Sequence, residues 1–237
     1  MVKLIAFDAY GTLFDVYSIA ALADELYPGF GQALAQMWRD RQIEYTRLVT
    51  MSDPEPSGSR YYLPFDELTV RALRYVCKRM QLPLSADNEA RLMAQYERLE
   101  PFPDSLAVLQ AVKSRGLQTA ILSNGNAEAL AALTANTGLS AALDRVVSVE
   151  PLRLFKTAPQ TYQLLLDTFG LSSSEILFVS SNAWDALGAT WFGLDVYWVN
   201  RMAHPFEEIG VPPRYEGASL TQLLPLLDSH AAMHDSA

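Results

Sequence analysis

The chain has 237 residues, a formal net charge of −9, and hydrophobic residues at half of its positions. That length suits a core with an inserted subdomain, and the apolar half is enough to bury a real core. The negative balance offers no basic field for nucleic acid, so an anionic ligand must be captured by a few local cations.

Residues 1–7 lack a charged n-region and a long apolar stretch, and they run into a strand pattern rather than a signal peptide. Residues 3–7 form an apolar run ending at Asp8 and followed by the turn-forming Gly11, which predicts a buried strand. Helical periodicity follows, first through Leu34, Met37, Trp38, Tyr45 and Leu48, then over 68–80 and 90–99, with a loop at 52–56 and Gly58. Beyond it, predicted helices at 104–115, 127–137, 159–169 and 184–192 alternate with predicted strands at 117–122, 146–149, 176–179 and 196–199. Gly116, Gly138, Gly170 and Gly193 each follow one of these helices, as helix-ending glycines do. A terminal helix at 220–227 and a loose tail at 228–237 complete the chain. No internal repeat or low-complexity tract occurs.

Strand and helix in alternation predict an α/β, Rossmann-like parallel sheet with helices on both faces. The first two strands are separated by more than a hundred residues, where a crossover needs about a dozen. An inserted helical cap accounts for the gap: residues 15–99 are assigned to the cap, and residues 1–14 and 100–237 to the catalytic core.

Several classes of chemistry are excluded by what is scarce. The single cysteine, Cys77, allows no disulfide framework and no thiolate metal site, and it reads as a small buried side chain. The histidines, His204, His230 and His234, all lie near the C-terminus, whereas zinc and Ser-His-Asp hydrolases need an imidazole near the chemistry. His230 and His234 are spaced to share a helix face, but in a polar tail they read as solvated. No window of about 18 uncharged apolar residues exists, so a soluble cytoplasmic protein with no membrane or nucleic-acid partner is expected.

Open parallel sheets bind ligands beyond the carboxyl ends of their strands. Asp8 and Thr12 stand there after the first strand, and Ser123 and Asn124 after the second. Lys156 follows the third, and Ser180, Ser181, Asn182 and Asp185 follow the fourth. Helix capping explains Ser123, Asn124 and Asn182 equally well, but not Lys156 or the Asp8 and Asp185 carboxylates.

The segment Phe7-Asp8-Ala9-Tyr10-Gly11-Thr12-Leu13-Phe14-Asp15 resembles the first motif of the haloacid dehalogenase superfamily. Ile121-Leu122-Ser123-Asn124-Gly125 resembles its second motif, Phe155-Lys156-Thr157-Ala158-Pro159 its third, and Val179-Ser180-Ser181-Asn182-Ala183-Trp184-Asp185 its fourth. Phosphatases of the superfamily carry a second Asp where this chain has Tyr10, and an early acidic residue in motif four where it has Ser180, Ser181 and Asn182. Asp8 and Asp185 alone would hold a hard divalent cation poorly. A leaving halide needs no proton, so these departures fit the dehalogenase branch. Met37-Trp38-Arg39-Asp40-Arg41-Gln42-Ile43-Glu44-Tyr45-Thr46 is similar to the cap helix of the L-2-haloacid dehalogenases. Taken alone, Arg39 reads as part of a solvated helix face.

The resemblance implies a hydrolysis without cofactor or metal, acting on a small L-2-haloacid through an ester on Asp8. Arg39 and Asn124 would hold the halide, Lys156 would keep Asp8 ionised, and Ser123 would hold the substrate carboxylate. Asp185, with Asn182, would direct the water, while Thr12 and Ser180 position Asp8 and Lys156. Tyr10, Ile43 and Trp184 would line the substituent pocket, and Tyr162 would support the site; plain packing explains Ile43 and Tyr162 about as well. A homodimer is also implied. Alternatives are a Mg²⁺-dependent phosphatase or phosphonatase of the same superfamily, and a non-catalytic module that binds small carboxylates.

Overall fold

A computed structural model describes residues 1–234 of the chain, with side chains through residue 229. Six parallel strands form one sheet: β1 (Leu4–Phe7), β2 (Gln118–Ser123), β3 (Arg145–Ser148), β4 (Ile176–Ser180), β5 (Asp195–Val199) and β6 (Tyr215–Gly217). Their spatial order is β3-β2-β1-β4-β5-β6. β1 is central, with Leu4 aligned to Gln118 on one side and to Ile176 on the other. All four of its residues are buried, as an unbroken apolar run between two layers of helices requires. Chain order reverses across β1, so the crevice beyond the carboxyl ends of β1 and β4 is the switch point where such sheets bind ligands.

Helices α1 (Ala20–Leu26), α2 (Gly31–Met51), α3 (Phe65–Arg79) and α4 (Ala86–Tyr96) fall between β1 and β2 and pack on one another. Helices α5 (Ser105–Ser114), α6 (Ala127–Asn136), α7 (Pro159–Phe169) and α8 (Ala183–Phe192) alternate with the strands. Gly170 and Gly193 end α7 and α8 in the left-handed conformation, which a residue with a Cβ adopts only at a cost. Among the described residues, no helix is long and apolar enough to cross a membrane.

The structure departs from the sequence reading at short elements and at the end of the chain. α1 and β6, seven and three residues long, are too brief to show a period. The last helix, α9 (Leu223–His234), covers most of the stretch read as a tail, since its apolar Leu223 and Leu227 are buried and hold it down. Residues 235–237 of that tail, and the His230 and His234 side chains, lie outside the described residues. Cys77 is buried, as expected.

The four-helix insertion meets the sheet through Phe155, which stacks on Tyr62 and lies near Phe65, with ring centroids 5.3 and 6.2 Å away. Backbone contacts add to this: Phe155 N–H donates to Thr50 Oγ1 at 3.1 Å, and Ser59 N–H to the Arg153 carbonyl at 3.0 Å. Buried residues of α2, α3 and α4 join those of the sheet in one continuous apolar cluster.

Candidate active site

β1 ends in the crevice, and the residue that follows it is Asp8, 5% exposed. Its Oδ2 accepts from Thr12 Oγ1 at 3.1 Å and from Asn182 Nδ2 at 2.7 Å, and its Oδ1 accepts from Lys156 Nζ at 3.0 Å. Thr12 is held in turn by the Ser181 N–H, which donates to its hydroxyl at 2.8 Å. Gly11 makes the turn between them with φ +92°, a conformation that favours glycine.

Lys156 is buried and donates a second bond, at 3.0 Å, to Asp185 Oδ2. Burial works against its ammonium, but the Asp185 and Asp8 carboxylates outweigh that and hold its pKa above the ordinary lysine value. Asp185, in the first turn of α8, is wholly buried. It accepts from Ser180 Oγ at 3.1 Å and from Tyr162 OH at 2.7 Å. Burial and the nearby Asp8 charge push the Asp185 carboxyl up, against the pull of Lys156. Tyr162 is completely buried, and burial beside Asp185 raises its phenol well above the ordinary value, so it serves Asp185 as a neutral donor.

Arg39 reaches over this network from α2. It is buried, and its guanidinium donates to the Tyr10 carbonyl at 3.2 Å and to Gln42 Oε1 at 2.7 Å. Asn182 Nδ2 donates to the same Tyr10 carbonyl at 2.9 Å, so the turn after β1 links cap and core. Arg39 and Ile43 of α2 face Asn182 and Trp184 of the core across a cavity of about 850 Å³. Tyr10 points the other way, with its ring 5.5 Å from Phe65 and 5.7 Å from Tyr96.

The predicted residues therefore gather, but not every predicted contact forms. Ser180 bonds Asp185 rather than Lys156, and the Asn182 amide, expected to help direct the water, donates to Asp8. Ser123 and Asn124 are not helix caps, because Asn126 holds that position before α6 and Glu150 Oε2 accepts from the Ala127 N–H at 3.0 Å. Asn124 Oδ1 instead accepts from the Lys156 N–H at 2.9 Å, and Ser123 Oγ accepts from the Gly125 N–H at 3.1 Å. Asn182 does occupy the cap position of α8, with its side chain turned to the site. Sequence reasoning missed Gln42, Thr69 and Tyr96 behind Arg39. It also missed Arg47, which lines the same cavity with its guanidinium 5.3 Å from the Trp184 ring.

The donor set does not fit a divalent cation. The space between Asp8 and Asp185 is taken by the Lys156 ammonium, and among the described residues no three His, Cys, Asp or Glu side chains group suitably for a metal.

Residues 2–193 match the family model of the haloacid dehalogenase-like hydrolases. The chain belongs to that family. Among similar proteins is an (S)-2-haloacid dehalogenase of Pseudomonas sp. (strain YL), 40% identical over 97% of this chain and 96% of its own. A haloacetate dehalogenase of Moraxella sp. (strain B) is 39% identical over 90% of this chain and 92% of its own. The solved structure of an L-2-haloacid dehalogenase superimposes with a TM-score of 0.92 at 48% identity, covering 96% of this chain and 99% of that one. Another, from Xanthobacter autotrophicus with chloropropionic acid covalently bound, gives 0.87 at 34% identity, covering 96% of this chain and 99% of that one. This haloacid dehalogenase-like hydrolase thus shares its sheet and its helical insertion with the L-2-haloacid dehalogenases.

Proposed function

We propose that this hydrolase removes halide from small L-2-haloacids by a double displacement on Asp8, yielding the D-2-hydroxy acid. The observation that carries the reading is the Asp8–Lys156–Asp185 arrangement beneath a buried arginine. The Asp8 carboxylate attacks the α-carbon from behind the halogen; the new C–O bond forms as the carbon–halogen bond breaks, and halide leaves toward Arg39 and Asn124. Burial strips the carboxylate of hydration, while Thr12, Asn182 and Lys156 hold it in place, which raises its effective concentration. Guanidinium suits a diffuse anion, being planar, always charged and weakly hydrated. Ser123 and nearby backbone N–H groups take the substrate carboxylate, while Ile43 and Trp184 bound the substituent.

Water then adds to the Asp8 ester carbonyl and gives its proton to Asp185, whose raised pKa suits a base. Tyr162 and Ser180 hold that carboxylate still. Collapse of the adduct passes its remaining hydroxyl proton to the departing alkoxide, which releases the hydroxy acid and leaves a solvent oxygen on the Asp8 carboxylate, and Asp185 returns its proton to solvent. Lys156, already bonded to both carboxylates, supplies the positive charge that a metal would otherwise bring. The Xanthobacter neighbour, solved with chloropropionic acid covalently bound, supports an enzyme-bound ester.

Halide release from L- and D-2-chloropropionate, with EDTA present and a phosphate ester in parallel, tests this reading. Chloride from the L-enantiomer alone is expected, with ¹⁸O from solvent appearing on Asp8 in a single turnover. Mg²⁺-dependent phosphate release without chloride would overturn the reaction; ¹⁸O in product but never on Asp8 would overturn the ester.

A further inference from the structure

Gln42 takes no step in the reaction proposed above, yet it is completely buried one helical turn from Arg39. Its side chain joins three cap helices. Oε1 accepts from Arg39 Nη1 at 2.7 Å and from Tyr96 OH at 3.0 Å, while Nε2 donates to Thr69 Oγ1 at 2.6 Å. Thr69 donates its own hydroxyl proton to the Phe65 carbonyl at 2.7 Å. A hydroxyl has one proton, so toward Gln42 Thr69 can only accept. The amide is therefore fixed one way round, with its NH₂ on Thr69 and its carbonyl on Arg39. Trp38 Nε1 donates to the Thr69 carbonyl at 2.8 Å and ties the same turn of α3 to α2. Burial raises the Tyr96 phenol above its ordinary value, so the second donor to Oε1, unlike Arg39, is uncharged.

The consequence is electrostatic. Among the described residues, Arg39 donates to the Gln42 amide and the Tyr10 carbonyl and lies within reach of the Tyr96 phenol, all three uncharged. A buried guanidinium normally takes a carboxylate, and a carboxylate there would answer its charge before any halide arrived. We propose that Gln42, oriented by Thr69 and Tyr96, is a positioning residue that holds Arg39 through neutral acceptors and so leaves its charge free for the departing halide. This rests on the halide-binding role of Arg39 proposed above.

Gln42→Glu is the sharpest variant, being equal in size but anionic, and Gln42→Met is its uncharged control. Chloride binding, read from ³⁵Cl line broadening, is measured beside steady-state kinetics with L-2-chloropropionate. For Gln42→Glu, chloride affinity should fall at least about tenfold, roughly the worth of one charge-assisted contact. Its kcat should fall about 100-fold, as for loss of a preorganised charge-stabilising group, with KM within about threefold. Gln42→Met should lose about tenfold in kcat, much less than Gln42→Glu. Should Gln42→Glu fail to fold, Thr69→Val frees the amide to flip and should weaken chloride several-fold, with Thr69→Ser restoring it. Unchanged chloride affinity in Gln42→Glu or Thr69→Val would overturn the inference, as would equal chloride loss in the Met and Glu variants. If the unsubstituted protein released no halide from either haloacid, the dehalogenase reading would fail, while chloride binding would still decide the role of Gln42.

Discussion

Lys156 shows how one buried charge can organise a site. Burial alone would loosen the proton of an ammonium 1% exposed, and two carboxylates 3.0 Å away reverse that shift. Lys156→Met should remove the shared counter-charge and strand two buried carboxylates, costing about 3–5 kcal/mol in urea unfolding at pH 7 and abolishing halide release. Parental stability in that variant would refute the account. The signs of the pH dependence differ between the partners. Stabilisation from Lys156 is whole below the ordinary lysine value of 10.5 and is lost as pH climbs through its raised folded value. Asp185 holds its proton more tightly when folded, so it opposes folding increasingly as pH rises from 3.8 through its own raised value. As the base for water, it should give kcat an acid limb; a pH profile flat across the acid range would remove Asp185 from the role. Asp8, Lys156 and Asp185 were readable in sequence because each lies within a few residues of a strand's carboxyl end and in a motif that resembles a known one. Gln42, Thr69 and Tyr96 were not, since they meet across 27 and 54 residues of chain with no local pattern to mark them.

At the scale of elements, strands buried on both faces announce themselves as apolar runs, and so β1 to β5 could be read from sequence. β6 could not, because three residues show no alternation, and Ser123, Asn124 and Asn182 stayed open between cap and site because Ser and Asn serve sites and helix ends alike. What no sequence pattern displays is how closely two helices approach. A Cβ on Gly188 of α8 would lie 2.5 Å from Thr157 Cγ2 and 2.8 Å from Tyr162 OH. The missing side chain is what lets α7 lie close enough for Tyr162 to reach Asp185. Gly188→Ala should therefore cost about 1–3 kcal/mol through overpacking and lower kcat by displacing the phenol. Tyr162→Phe removes the same hydrogen bond without the clash, so it should share the kcat defect but lose less stability. Thermal melts and kcat on the two variants check this; a Gly188→Ala protein with unchanged kcat would show that the close approach does not position Tyr162.

On the scale of the whole molecule, the helical insertion is fused to the sheet rather than merely tethered to it. Its buried residues join those of the core in one apolar cluster, and Phe155, wholly buried, lies between Tyr62 and Phe65 at the seam. The same seam reaches the chemistry from both sides. Phe65 stacks on Tyr10, whose carbonyl accepts from Arg39 and Asn182, while Lys156 directly follows Phe155. A shared core of this kind predicts one cooperative unfolding transition, with calorimetric and van't Hoff enthalpies equal despite the two-part architecture. Phe155→Ala should lower stability by about 3–5 kcal/mol, the usual cost of emptying a buried aromatic site. It should also move Arg39 relative to Asp8, so that kcat falls although no residue of the site has been replaced. Scanning calorimetry with halide-release kinetics decides the matter. Two separate transitions in the unsubstituted protein, or a Phe155→Ala variant with parental kcat, would mean that cap and core are independent bodies and that the seam does not set the position of the arginine.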